Sequence, residues 1–151
     1  MARFLADTNV LLRLSDTGAP LHDVATQALA ALFARGDEVF ITAQNLIEFW
    51  TVATRPREVN GFGWDTETTQ REIADLRQRF PFLPDAEQVF DCWLRLVVSS
   101  SISGKRAHDA RLAAVMLVHS VGHILTFNTA DFAGFSGITP VDPRTLSKVK
   151  R

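Results

Sequence analysis

Short apolar runs, separated by segments of helical periodicity, constrain this chain more than any other feature. The runs are Phe4-Leu5-Ala6, "EVFIT" at 38–42, "HILTF" at 123–127 and "GITPV" at 137–141. They are apolar on both faces instead of alternating, so each strand needs cover on both sides, the signature of a parallel sheet. Between them "TNVLLRLSD" reads as a helix, and "HDVATQALAALFAR" as a second that stops near Gly36. In the second, Val24, Leu29, Leu32 and Phe33 recur on one face. "AQNLIEFWTVATR" is a third helix, closed by Pro56 because the residue before proline disfavours helical dihedrals. A glycine-punctuated loop, "PREVNGFGW", leads to Asp65, an N-cap for "TETTQREIADLRQRF". "PFLP" breaks that helix, Asp85 is placed to cap "AEQVFDCWLRLVVSS", and "AHDARLAAVMLVHS" is the last helix. The alternation predicts a three-layer α/β/α sandwich with a central, mainly parallel sheet of four to five strands. One domain should span 1–151, with a core of about 3–142 and a C-terminal tail at 143–151.

Composition removes several function classes. A chain of 151 residues, 46% hydrophobic and 22% charged, has the make-up of one soluble globular domain. No apolar run reaches the ~20 residues of a membrane helix. The start, "MARFLADTNV", lacks the apolar region and cleavage site of a signal peptide, so a cytoplasmic location is expected. Cys92 is the single cysteine, which excludes an intramolecular disulfide and a cysteine-based zinc site. It reads as a small buried hydrophobe. The net charge of −1 argues against a globally basic nucleic-acid binder but leaves room for a local basic rim.

Parallel sheets bind ligands beyond the carboxyl ends of their strands. Asp7 ends the first strand, and Asn128 and Asp131 lie just past the strand at 123–127. Glu48 is on the helix after "EVFIT", and Asp109 is near the start of the helix that leads into 123–127. Four carboxylates far apart in sequence should therefore meet at one edge. Such a ring, without a convergent His/Cys set, suits hard divalent cations such as Mg²⁺ or Mn²⁺. Those cations relieve charge on a phosphate and make a nucleophile from water, the two needs of phosphodiester cleavage.

"FLADTNVLL", "QNLIEFW", "HDARLAAVM" and "LTFNTADF", in that order, resemble the PIN-domain family of ribonucleases from Phe4 to about Val141. In size, and in lacking appended domains, the chain looks most like the VapC-type toxins of type II toxin–antitoxin pairs. The resemblance implies a metal-dependent endoribonuclease that hydrolyses RNA phosphodiester bonds. Asp7 and Asp109 match the main metal ligands, Glu48 the third acid, and Thr8 and Asn9 the polar residues that brace the first Asp. Thr126 opens the T-x-N/D-x-x-D-F block in a supporting place. Asn128 falls where many members carry a fourth acid, and Asp131 follows three residues later. The residues alone leave open which of the two is the site residue, with Asn128 the preferred choice and Asp131 in support or capping its own turn.

Arg55 and Arg57, with Lys105 and Arg106, would place cations beside the acids for an RNA backbone. Trp64 either stacks on a base or, the preferred reading, pins its loop to the core. His108, beside Asp109, reads as a packed or exposed histidine with no triad around it. The apolar helices that carry Trp50 and Trp93 suggest, beyond core, a homodimer face or a groove for an antitoxin helix. Two other readings stand beside the ribonuclease. One is a nuclease acting on DNA or flap structures, which the missing helical arch disfavours; the other is a catalytically decayed RNA-binding or regulatory module.

Overall fold

The computed structural model describes residues 1–147. Strand β1 (Arg3–Ala6) runs into α1 (Thr8–Ser15) and α2 (His22–Ala34), then β2 (Glu38–Thr42), α3 (Ala43–Thr54) and α4 (Thr66–Arg79). After these come β3 (Phe82–Leu83), α5 (Val89–Ser99), α6 (Arg106–Val118), β4 (His123–Leu125) and β5 (Thr139–Val141). The strands form one five-stranded sheet in the order β3-β2-β1-β4-β5, and every pairing is parallel.

The period-two geometry of a strand explains the layering. Phe4, Ala6, Val39, Ile41 and Leu125 pack with Leu11, Leu29, Phe49 and Leu76, so α1 to α4 cover one face. Leu5, Phe40 and Ile124 turn the other way, onto Ala113, Met116 and Cys92 of α6 and α5. Successive residues of β1 and β2 thus feed opposite cores, which is why these strands read as apolar on both faces. The expected three-layer sandwich is the observed fold, and Cys92 is a buried free thiol. No helix among the described residues is long and apolar enough to cross a membrane.

Three details depart from the sequence reading. "PFLP" does more than stop α4: Phe82 and Leu83 pair with Ile41 and Thr42 as the edge strand β3. Two residues between prolines are too few to show a period, and prolines are tolerated at an edge. Asp85 does not cap α5, which begins at Val89 without a side-chain cap. Its carboxylate instead pairs with Arg111 of α6 at 3.1 Å. Phe33, read as part of the buried face of α2, is 49% exposed and leans on Phe80 across the rim. The segment at 143–151 opens with a turn, Pro143–Thr145, that packs on α2; residues 148–151 lie outside the described residues.

The strand order decides where a site can form. From β1 the chain steps outward to β2 and β3, then crosses back through α5 and α6 to set β4 on the other side of β1. The carboxyl ends of β1 and β4 therefore flank the point where the winding reverses, the usual crevice of an open parallel sheet.

Candidate active site

Asp7 stands at that crevice, one residue past β1. Its extended backbone (φ −68°, ψ 156°) makes it the N-cap of α1, and Oδ1 accepts from the Thr8 amide at 2.8 Å. Oδ2 accepts from the Thr126 hydroxyl at 2.8 Å and from Asn9 Nδ2 at 3.3 Å. Asn9 also takes the Phe127 amide on its Oδ1, and the Thr126 hydroxyl takes the Asn128 amide. The ends of β1 and β4 are thus stitched together through one carboxylate. Burial pushes the Asp7 carboxyl up to about 6 despite these donors, and repulsion from Glu48 and Asp109 adds to the rise.

Glu48 lies on α3, whose first turn is wired to it. Thr42 and Asn45 form a reciprocal cap: the Asn45 amide donates to Thr42 Oγ1, and the Thr42 amide to Asn45 Oδ1. Asn45 Nδ2 then donates to Thr8 Oγ1 at 3.2 Å, and the Thr8 hydroxyl donates to Glu48 Oε1 at 2.7 Å. The other oxygen, Oε2, accepts from Gln44 Nε2 at 3.0 Å. Gln44 also donates to the His108 carbonyl and accepts from Arg111, which fastens α3 to α6 next to Asp109. Replacing Asn45 with Ala keeps the Thr42 cap on the backbone but removes its reciprocal half and strands the buried Thr42 amide, so it should lower stability by about 2 kcal/mol, read as a shifted urea midpoint.

Asp109 sits in the first turn of α6 and is half-buried. Its carboxyl is pushed up to about 6, first by burial, then by repulsion from Asp131 and next from Glu48; Arg106 and His108 oppose the rise. The stronger like-charge neighbour of Asp109 is thus Asp131. The carboxylate of Asp131 takes no hydrogen bond among the described residues, so it does not cap its own turn, Thr129–Asp131. Asn128 precedes that turn, is exposed, and caps nothing with its side chain. Neither the Asn128 side-chain amide nor the Asp131 carboxylate is engaged in a hydrogen bond among the described residues, so both remain free for the fourth wall. After β4 the tight turn carries the chain on to Asp131, near enough to α6 for its charge to raise Asp109.

The four acids share one mouth without closing on a common point. Among the described residues no three acidic, histidine or cysteine side chains already surround a cation position. Repulsion between unscreened carboxylates opposes such closure. The arrangement suits a small hard cation, which takes one or two carboxylates and fills its remaining positions with water and phosphate oxygens.

The PIN domain model matches residues 4–136 of the sequence. The chain belongs to the PIN-domain family. It is 30% identical over 144 residues to Ribonuclease VapC24 of Mycobacterium tuberculosis (strain CDC 1551 / Oshkosh), spanning 92% of this chain and 95% of that protein. Its fold is similar to VapBC2 from Rickettsia felis, solved bound to a DNA fragment from the promoter, with a TM-score of 0.70 at 14% identity. That match covers 93% of this chain and 98% of the other. VapBC-1 from nontypeable Haemophilus influenzae gives a TM-score of 0.67 at 17% identity, with the same coverage.

In this PIN domain, Asp7, Glu48, Asp109 and Asp131 gather with Thr8, Asn9 and Thr126 around them. The expected basic residues are more scattered. Arg106 lies close enough to act on Asp109, with its guanidinium 5.9 Å over the Phe135 ring, while Lys105 and Arg57 are exposed. Arg55 is half-buried at the end of α3, with one nitrogen on the Asn60 carbonyl. Trp64 pins its loop: it packs on Phe62 and Phe49, and its amide bonds Ala53. Sequence reasoning missed Thr42, Gln44, Asn45 and Arg111. The Thr-x-x-Asn spacing at 42–45 carries a capping signal, but nothing local links it to Glu48.

Proposed function

We propose that this PIN domain is a divalent-metal-dependent endoribonuclease and the toxin of a toxin–antitoxin pair. The observation that carries the reading is the meeting of Asp7, Glu48, Asp109 and Asp131 at the reversal of the sheet. Two of these carboxyls are held near 6 by burial and mutual repulsion. An acid cluster that destabilises itself at neutral pH makes sense when a cation compensates it. The relationship to Ribonuclease VapC24 supports RNA as the substrate, and the fold shared with VapBC proteins supports an antitoxin partner.

Asp7 and Asp109 would hold Mg²⁺ or Mn²⁺, with Asp131 as the fourth acid. Bound there, the cation supplies charge relief on the scissile phosphate and a more acidic water. Thr126, Asn9 and the Thr8 amide fix Asp7 so that its oxygens need no reorganisation. Glu48, gripped by Thr8 and Gln44, orients the attacking water and takes its proton. Arg106 and Lys105 at the start of α6 draw the RNA backbone toward the mouth. The site acts in the cytoplasm, where RNA is the abundant phosphodiester. Ile47 on α3, and Phe90, Leu94 and Val98 on α5, are exposed apolar side chains that offer faces to an antitoxin segment and to a second copy of the chain.

Matched 5′-labelled RNA and DNA oligonucleotides test the reading directly. RNA should be cut in Mg²⁺ or Mn²⁺ and not in EDTA, with DNA left intact; metal-independent cutting, or preference for DNA, overturns it. In the same assay Asp131→Asn should lower turnover about ten-fold or more, whereas Asn128→Ala should stay within about two-fold.

A further inference from the structure

Where α1 ends against the loop that follows α3, a cavity of about 310 Å³ opens beside the acidic mouth. Asn9, Arg13, Asp16, Arg55 and Asn60 line it over a floor that includes Phe62. Asn9 is a shared wall, since its Nδ2 also donates to Asp7 Oδ2. Arg13 lies six residues beyond Asp7, about 9 Å along the axis of α1.

The loop is moulded on Arg55. The Gly63 amide donates to the Arg55 carbonyl, and the Gly61 amide to Pro56. A Cβ at Gly61 would fall 1.9 Å from the Arg55 carbonyl oxygen, so only glycine lets the loop close this tightly. One Arg55 nitrogen is used on Asn60, yet Nε has no hydrogen-bond partner, alone among the buried side-chain nitrogen and oxygen atoms of the described residues. That atom is closed to solvent, but the guanidinium as a whole is half-buried and forms no ion pair among the described residues, so its charge is left to face the cavity. Arg13 is half-buried and forms no ion pair among the described residues. Asp16, the one carboxylate on the wall, accepts from the Gly18 amide. Two guanidiniums therefore face one carboxylate, an excess of planar donors that matches a phosphate.

We infer that Arg13 and Arg55 form a subsite for a backbone phosphate of single-stranded RNA next to the scissile bond. The inference rests on the ribonuclease reading. Arg13 supplies one guanidinium from α1 and Arg55 a second from the end of α3. The strand would cross from this cavity over Asn9 to the acids, so the subsite sets binding and register and leaves the chemical step alone.

The test is cleavage of a 5′-labelled RNA by the full chain over a range of salt. Arg13→Gln should raise KM about ten-fold at low salt with kcat within two-fold, the loss of one charge-assisted contact. The slope of log KM against log salt should fall by about 0.7, one single-strand phosphate contact. Arg13→Lys should retain the slope, because charge and not shape carries that term. Unchanged KM and slope in Arg13→Gln overturn the subsite, including the case where the variant loses only affinity for an acidic protein segment. Fluorescence anisotropy of the same RNA on Asp109→Asn protein, with and without Arg13→Gln, separates the two readings. If the parent chain cuts no RNA, the ribonuclease reading fails, while an unaltered binding slope in this pair rejects the subsite itself.

Discussion

Asp109→Asn and Asp7→Asn should each cut RNA cleavage in Mg²⁺ at least about a hundred-fold, roughly 3 kcal/mol of transition-state stabilisation, with unchanged circular dichroism. The substitution keeps size and shape, removes the charge and turns one carboxylate oxygen into an amide NH2. At Asp7 the amide oxygen can still accept from Thr8 or Thr126, so the junction of β1 and α1 persists. At Asp109 the change removes a carboxylate that repels Asp131 and Glu48. Asp109→Asn should therefore be more thermostable than the parent in EDTA at pH 7.5, even though it is inactive. Activity within ten-fold of the parent in either variant would refute the role assigned to these acids.

Without metal, the protein should lose stability as pH rises from 4 to 7 and regain it when Mg²⁺ or Mn²⁺ is added. The folded Asp7 carboxyl titrates near 6, whereas an aspartate in the unfolded chain titrates near 3.8. Between these values the folded state holds a proton that the unfolded chain has released. By linkage, stability then falls as pH rises through the folded value. A shift of about two units amounts to about 3 kcal/mol for Asp7. Asp109 contributes in the same direction, and less, because solvent screens a half-buried group. Saturating metal at pH 7.5 should restore stability by about 3 kcal/mol at a hundred times its dissociation constant. Urea unfolding in EDTA at pH 5 and pH 7.5, with and without metal, reads both effects. A metal-free protein more stable at pH 7.5 than at pH 5 would contradict the assignment, as would no metal effect at pH 7.5.

Much of this site is legible in the chain because its parts obey local rules. Asp7 follows an apolar run and precedes a helix, so a strand's carboxyl end and an N-cap coincide on one residue. The Glu48 and Asp109 helices show as apolar helical segments, and the family motifs order the acids. The rest has no local signature. Thr42 and Asn45 look like an ordinary helix cap until Thr8, from another element, joins them to Glu48. Gln44 and Arg111 are two polar residues 67 positions apart whose hydrogen bond exists only after α3 and α6 lie side by side. Arg13 reads as a favourable charge in the last turn of α1. Only the fold sets it with Arg55 and Asn60 around one cavity.

Asn128 and Asp131 show the boundary most plainly. The sequence places both past a strand end and gives the amide the family position. The turn at Thr129–Asp131 then exposes Asn128 and returns Asp131 toward Asp109. By itself the sequence determined the α/β layering, the strand ends and which acids compete for the site, because hydrophobic periodicity and capping act within a few residues. Only the tertiary structure decided that β4 inserts beside β1, that Asp131 and Glu48 both act on Asp109, and that a cap on α3 helps to hold Glu48. Those outcomes depend on distances between side chains that the chain's own spacing leaves free.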